Sequence, residues 1–128
     1  MNIYSVDKNN ISDAWKYVTP LLDRIKTLKN EFVYSQVMAG KAWLLVAATD
    51  TVQAAMVLEI HEEDDEKIAF ILGYAADVDI YDLWEYFIDV AKQIGADKLQ
   101  FVSPRMGWKR RGEKLGFKIK EIIYERAL

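Results

Sequence analysis

The side chains best suited to chemistry in this chain form a basic cluster near the C-terminus. Its cations include Arg105, Lys109, Arg110 and Arg111. Guanidinium and ammonium groups on a helix can hold phosphate oxygens through charge-assisted hydrogen bonds. The cluster therefore indicates a binding surface for an anionic partner or for an acidic protein face. A solvated helix face would have the same composition, and the sequence leaves both interpretations open.

A second group of titratable residues is acidic. His61 is followed by five acidic residues, but there is no second histidine at helical spacing and no glycine for the sharp turn of a calcium loop. We predict a solvated turn over 61–66 and no metal site. The chain has one histidine and no cysteine. Disulfides, thiolate nucleophiles and a Ser-His-Asp arrangement around Ser35 or Ser103 are therefore excluded.

Hydrophobic periodicity predicts the elements that must position these groups. The predicted strands cover 2–6, 42–49, 52–60, 67–75, 98–103 and 117–125, and the predicted helices cover 11–28, 31–39, 80–94 and 104–116. Pro20 interrupts the first helix. Asp79 is the predicted N-cap of the 80–94 helix, and Gly95 its C′ residue. We expect Trp43, Trp84 and Trp108 to anchor the core.

This order of elements predicts a single α/β domain over 1–128, with a mixed sheet flanked by helices. No apolar run approaches the roughly 20 residues that span a bilayer, so we expect no membrane segment and a cytoplasmic location. The overall net charge is −3, yet the stretch from Arg105 onward carries +5 and the first 104 residues carry −8. Such asymmetry predicts a protein partner or self-association, unless the two patches neutralise each other within the fold.

The element order resembles the GNAT superfamily of N-acetyltransferases. Local support comes from Lys114-Leu115-Gly116-Phe117 and from the strong helix after the central strand. The aromatic and basic stretch from Gly107 to Arg111 is similar to small GNAT-like proteins of bacteriophages. The resemblance implies a GNAT-like fold that holds acetyl-CoA in a gap beside the central strand, at Leu72, Gly73 and Tyr74. It also implies a virion or accessory protein, located in the virion or the host cytoplasm.

The chain departs from the family's pattern in the turn that should bind the coenzyme's diphosphate. The turn over 73–80 contains one glycine and no leading Gln or Arg, and it carries Asp77 and Asp79, with Asp82 following. Carboxylates there accept hydrogen bonds from the helix N–H groups that a phosphate would need. They also repel phosphate, by about 4 kcal/mol per pair of charges at ~4 Å and an effective dielectric near 20. Aspartates that only cap a helix have the same pattern.

A second departure concerns catalysis. The resemblance implies a tyrosine acid five residues before Phe117, where Gly112 stands, and an asparagine where Arg105 stands. Glycine has no side-chain proton to donate. Tyr124 is expected on a sheet face or in the core, and Glu59 is a weak candidate for a general base. The catalytic residues are therefore unknown.

Two functions remain open. The first is a GNAT-fold protein with a degenerate acetyl-CoA site, non-catalytic or weakly catalytic, that binds another macromolecule and needs no cofactor. The second is an acetyl-CoA-dependent N-acetyltransferase with an atypical site. The acidic turn and Gly112 favour the first.

Overall fold

The computed structural model describes residues 2–103 and 107–127, without the side chains of residues 107–109. The strands are β1 (Asn2–Val6), β2 (Ala42–Ala48), β3 (Val52–Glu63), β4 (Glu66–Ala76) and β5 (Lys98–Gln100), and the helices are α1 (Ile11–Leu22), α2 (Asn30–Met38), α3 (Ile80–Ile94) and α4 (Gly107–Lys114). The predicted helix 11–28 ends early, two residues after Pro20. Within the described ranges, no helix has the length and apolar composition that a bilayer crossing requires.

The strands form one mixed sheet in the order β1-β2-β3-β4-β5, which confirms the predicted fold class. The first four strands pair antiparallel, and β5 pairs parallel to β4, as a helical crossover through α3 requires. Strict alternation along β3 divides the core between the two sheet faces. Ala55 and Val57 pack under α1 and α2, whereas Met56 and Leu58 pack under α3.

The hairpin between β3 and β4 differs from its prediction. The residues 61–66 were expected to form a polar turn, but β3 continues to Glu63 and β4 begins at Glu66. Only Asp64 and Asp65 form the turn, with φ of 52° and 64°. Aspartate tolerates this left-handed conformation better than most residues, and two such residues make a tight hairpin turn with the twist of the strands.

One register shift changes which side chains of β4 share a face. Strict alternation would place Leu72 and Tyr74 together, but the pairing with β3 shifts between Val57 and Leu58. As a result, Leu72 packs against the core under α1 and α2, while Tyr74 packs with the core under α3. A bulge of this kind also bends the strand.

The C-terminal part of the chain has fewer regular pairings than the rest. β5 has only three residues, α4 ends at Lys114, and Gly116 follows with φ of 90°. The predicted strand over 117–125 is wrong, because these residues form no ladder with the sheet. Phe117 lies near Phe101 and Lys120 near Glu63, so the segment passes β5 without pairing to it.

Candidate binding cleft

The sheet opens between β4 and the residues that follow β5. Their ladder consists of three pairs and ends at Phe70 opposite Gln100. Beyond that point a cleft of about 190 Å³ separates β4 from Phe101 and the next two residues. In the described part of the chain, the β5-facing edge of β4 over 71–74 has no strand partner. The cleft is therefore bordered by backbone N–H and C=O groups that can bind a ligand.

The predicted residues Leu72, Gly73 and Tyr74 all line this cleft. Gly73 has a packing role there. A Cβ atom at this position would lie 2.8 Å from Ile25 Cγ2 and 2.8 Å from Leu28 Cδ1. Only glycine lets the segment between α1 and α2 approach β4 this closely. The glycine is thus explained by the chain's own side chains, without any phosphate.

Tyr74 contributes the most unusual polar group of the cleft. Its hydroxyl is buried and has no hydrogen-bond partner among the described residues. Burial, together with the negative charge of Asp79, raises the pKa of Tyr74 to about 12. Its ring contacts Phe87 edge to face, with centroids 6.0 Å apart. The hydroxyl therefore stays protonated at neutral pH and can donate a hydrogen bond to a ligand, but it is a weak proton donor.

The opposite wall is aromatic and joins α3 to the end of α4. Trp84 Nε1 donates a hydrogen bond of 3.1 Å to the carbonyl oxygen of Leu115. Phe117 packs 5.4 Å from the Trp84 ring and 4.9 Å from the Phe101 ring, measured between centroids. A side chain at Gly112 would point at this wall, since its Cβ would lie 3.6 Å from Phe117 Cβ. The position that lacks the implied tyrosine therefore adjoins the aromatic wall, and Gly112 itself is not among the described residues that line the cleft.

A carboxylate from the residue before α3 caps the N-terminus of this helix. Asp79 adopts an extended conformation and its Oδ1 accepts a hydrogen bond of 3.0 Å from the Tyr81 amide, as predicted for an N-cap. Asp77 is instead paired with Arg24, whose Nη1 lies 2.6 Å from Asp77 Oδ1. Arg24 also donates to the Ala76 carbonyl at 3.0 Å. Nothing local in the sequence signals this pairing, because 53 residues separate the two partners.

The pairing with Arg24 changes the electrostatic argument made from sequence. Asp77 was grouped with Asp79 and Asp82 as an uncompensated acidic cluster, yet its charge is balanced by a guanidinium. The remaining acidic character comes from the cap residue Asp79 and from Asp82 and Glu85 of α3, all of which are exposed. Any diphosphate repulsion at this turn therefore depends on α3.

The predicted basic surface is described only in part. Arg110 and Arg111 on α4 are exposed. Arg105 and the side chain of Lys109 lie outside the described residues, as does the side chain of Trp108. An anionic partner at this helix stays a prediction.

Other candidates from the sequence do not reach the cleft. Glu59 on β3 is not among the described residues that line it. Tyr124 was expected on a sheet face or in the core, but it lies in neither, because residues 118–127 form no strand and its side chain is 89% exposed. Among the described residues, no three His, Cys, Asp or Glu side chains come together as a metal site.

The cleft and the start of α3 differ in how they suit the two parts of acetyl-CoA. The narrow apolar cleft and the open edge of β4 suit an extended, uncharged chain. The start of α3 does not suit a diphosphate, because the amide of Tyr81 is already bonded to Asp79 and no described residue of 73–80 is cationic.

Solved structures show what this fold is similar to. Ribosomal-protein-alanine N-acetyltransferase from Brucella melitensis biovar Abortus 2308 matches at a TM-score of 0.67 and 12% identity, with both chains covered completely. Glucosamine-6-phosphate N-acetyltransferase from Arabidopsis thaliana matches at 0.66 and 14%, covering 98% of this chain and 97% of the other. An aminoglycoside acetyltransferase from an uncultured soil metagenomic sample, in complex with sisomicin, matches at 0.69 and 10%, covering 99% and 95%.

The chain thus has the fold of GNAT acetyltransferases, and its architecture is acetyltransferase-like. No family model matches the sequence, and a search of curated proteins gives no match. Identities of 10–15% establish the fold alone.

Proposed function

We propose that this protein works by binding through its GNAT-like cleft, with acetyl transfer lost or weak. The observation that carries the proposal is the hydrogen bond from the Tyr81 amide to Asp79 at the start of α3. A diphosphate bound there would have to displace that carboxylate and then face Asp82 in the same turn. Both changes oppose binding of acetyl-CoA.

The missing proton donor supports the same function. Position 112 faces the aromatic wall of the cleft, and glycine supplies no side-chain acid there. Tyr74 also lines the cleft, but its pKa of about 12 makes full proton transfer to a thiolate unfavourable. Without an acid the leaving group departs as an anion, which lowers the rate of transfer. A virion or accessory role, as the bacteriophage resemblance implies, is compatible with such a binding protein.

The proposal is tested by titrating acetyl-CoA into the purified protein and into the double variant Asp79→Asn/Asp82→Asn. Asparagine can still cap the helix, but its neutral oxygen accepts a weaker hydrogen bond than a carboxylate, so a diphosphate displaces it more easily and meets less negative charge. We expect no saturable heat for the wild-type protein and measurable binding for the variant. A ligand at ~100 times its dissociation constant would raise the stability by about 2.7 kcal/mol, which a thermal shift detects.

The matched control is Asp13→Asn, which removes an acidic charge from the first turn of α1. It should leave acetyl-CoA binding unchanged. Saturable binding to the wild-type protein, with turnover of an amine substrate, would contradict the proposed function.

The second candidate is an acetyl-CoA-dependent N-acetyltransferase with an atypical site. The open edge of β4 over 71–74 favours it, since a splayed strand can pair with the amide chain of a coenzyme. An active enzyme of this kind would show acetyl-CoA consumption that the Asp79→Asn/Asp82→Asn change does not increase.

A further inference from the structure

Aromatic rings lie on both walls of the cleft. They belong to Tyr74, Trp84, Phe101 and Phe117, and no charged side chain is among the described residues that line the cleft. The Phe117 ring is inclined by 55° to the Trp84 ring and by 87° to the Phe101 ring. Rings at such steep angles leave faces uncovered that a parallel stack would hide. The cleft therefore has aromatic faces available to a ligand.

Aromatic faces distinguish between charged ligands, because they carry partial negative charge. A ring face attracts a cation that lies within about 6 Å of its centroid, and tryptophan does so most strongly. A quaternary ammonium ion suits such a site, since its charge is spread over methyl groups that pack like an apolar side chain. No lysine or arginine of the described residues lines the cleft to oppose it. The walls thus favour an organic cation over an anion.

A carboxylate beside the cleft has the matching charge. Asp79 is exposed and directly precedes Ile80, which lines the cleft. Burial and, after it, the negative charge of Asp79 raise the pKa of Tyr74, so this carboxylate acts on the Tyr74 hydroxyl. No ion pair among the described residues involves Asp79, whereas Asp77 is paired with Arg24. The charge that opposes a diphosphate at this position therefore attracts an ammonium ion.

The size of the cleft and the Tyr74 hydroxyl narrow the class of ligand. At about 30 Å³ per water molecule, the 190 Å³ cavity has room for roughly six waters, which suits a small molecule. The buried hydroxyl has no partner among the described residues, so it is a donor that a ligand oxygen can satisfy. A quaternary ammonium ion with an oxygen atom near its charge meets both requirements.

We propose that the cleft binds a small quaternary ammonium ion that carries a hydroxyl oxygen near its charge. The ammonium group packs against the rings of Trp84 and Phe117. The ligand oxygen accepts a hydrogen bond from Tyr74 Oη, and Asp79 supplies the nearby negative charge. Such an ion has no N–H group, so N-acetylation of it is impossible and its recognition is a separate property of the cleft. The inference rests on the proposed binding function and names the ligand class.

The test titrates choline, the simplest ion of this class, into the full-length protein by calorimetry. The matched control ligand is its neutral carbon analogue, in which a tert-butyl group replaces the trimethylammonium group. We expect saturable choline binding with a dissociation constant of about 1 mM or lower, which corresponds to −4.1 kcal/mol. The analogue has the same shape without the charge, and it should bind at least about tenfold more weakly.

Three variants connect the binding to particular groups. Phe117→Leu keeps an apolar side chain but removes a ring, and it should weaken choline binding about fivefold. Phe32→Leu removes an exposed ring of α2 that does not line the cleft, and it should bind choline like the wild-type protein. Asp79→Asn removes the nearby charge and should weaken choline binding about threefold. The same change favours acetyl-CoA, so the two ligands should respond in opposite directions.

Tyr74→Phe tests the proposed hydrogen bond separately from the charge. Tetramethylammonium has the charge but no oxygen, so it should bind the wild-type protein and this variant equally. Choline should bind the variant about fivefold more weakly, because its hydroxyl loses the donor. The fold should tolerate the change, since it removes a hydroxyl that has no partner among the described residues.

Three outcomes would overturn the inference. An absence of saturable heat at choline concentrations up to about 10 mM would show that the cleft does not select this ligand class. Equal binding of choline and its neutral analogue would show that the cavity does not recognise charge. Choline binding that both Phe117→Leu and Tyr74→Phe leave unchanged would place the ligand elsewhere. None of these results concerns acetyl-CoA, whose saturable binding to the wild-type protein, with turnover of an amine substrate, would instead contradict the proposed function.

Discussion

The two walls of the cleft are built in different ways. The β4 wall belongs to a sheet in which β3 pairs with β4 over ten residues, and its buried neighbours are almost fully enclosed. The opposite wall consists of residues after β5, the end of α4 and Phe117, and its contacts include ring packing and a hydrogen bond from Trp84 instead of a strand ladder beyond Gln100 in the described residues. The difference indicates that the β4 wall is the rigid template and that the C-terminal wall is the part able to adapt to a ligand.

Paired truncations should reveal this contrast most strongly. Phe87 lies on the buried face of α3, packs against Tyr74 of β4 and is 1% exposed, so Phe87→Ala should cost about 3–5 kcal/mol of unfolding free energy. Phe117 is only half-buried, and Phe117→Ala should cost less than about 2 kcal/mol. Chemical denaturation measures both. Equal losses would mean that the two walls are equally part of the core.

Gly73 tests how tightly the β4 wall is packed. Gly73→Ala should destabilise the protein by about 1–3 kcal/mol, because the new methyl group would meet Ile25 and Leu28. Adding Leu28→Ala removes one of the two obstructing side chains. The double variant should therefore lose less stability than the sum of the single changes. Strict additivity would show that the close approach is not what requires glycine.

Tyr74 tests the polar chemistry of the same wall. Because the folded protein raises the pKa of Tyr74 from 10.0 to about 12, it holds this proton more tightly than the unfolded chain. The stability that this protonated hydroxyl contributes relative to its ionised form is fully present below pH 10. It is lost as the pH rises towards 12. Tyr74→Phe should remove this part of the alkaline loss and, by deleting an unpartnered hydroxyl, stabilise the protein by about 1 kcal/mol at neutral pH. An unchanged alkaline unfolding profile would contradict the buried position of the hydroxyl.

The smallest expected effect is in the C-terminal wall. Gly112→Ala should stabilise the protein by about 0.5–1 kcal/mol, because alanine favours helix and its Cβ would make ordinary contacts with Phe117 and Phe101. Thermal unfolding measures the change. A loss of stability would mean that this wall is packed as tightly as β4.

The sequence predicted the regular parts of the fold because their signals are local. Periodicity located α3, and Asp79 and Gly95 marked its ends, with Gly95 at φ of 101°. The sequence could not predict on which sheet face each β4 side chain lies, since the register shift opposite Val57 depends on pairing with β3. Residues 117–125 have the composition of a strand but form no ladder. Composition indicates a propensity for strand, but it does not show whether a neighbouring strand is available to pair with.

The candidate site shows the same difference between features that local sequence signals predict and features that depend on contacts between distant elements. Leu72, Gly73 and Tyr74 line the cleft, and their binding of acetyl-CoA stays a prediction. The pairing of Arg24 with Asp77 was missed, because nothing local in the sequence connects the segment after α1 with the end of β4. The role of Gly73 was also missed, because it depends on Ile25 and Leu28 approaching from another element.

The most direct test of the account follows individual amide signals by NMR while acetyl-CoA is added. The amide of Tyr81 is the donor that a diphosphate at the start of α3 would need, and Asp79 already accepts its hydrogen bond. We expect the Tyr81 signal of the wild-type protein to stay in place at every coenzyme concentration. A saturable shift of Tyr81 together with Ile80 and Asp82 would show a diphosphate at the helix start and would contradict the account.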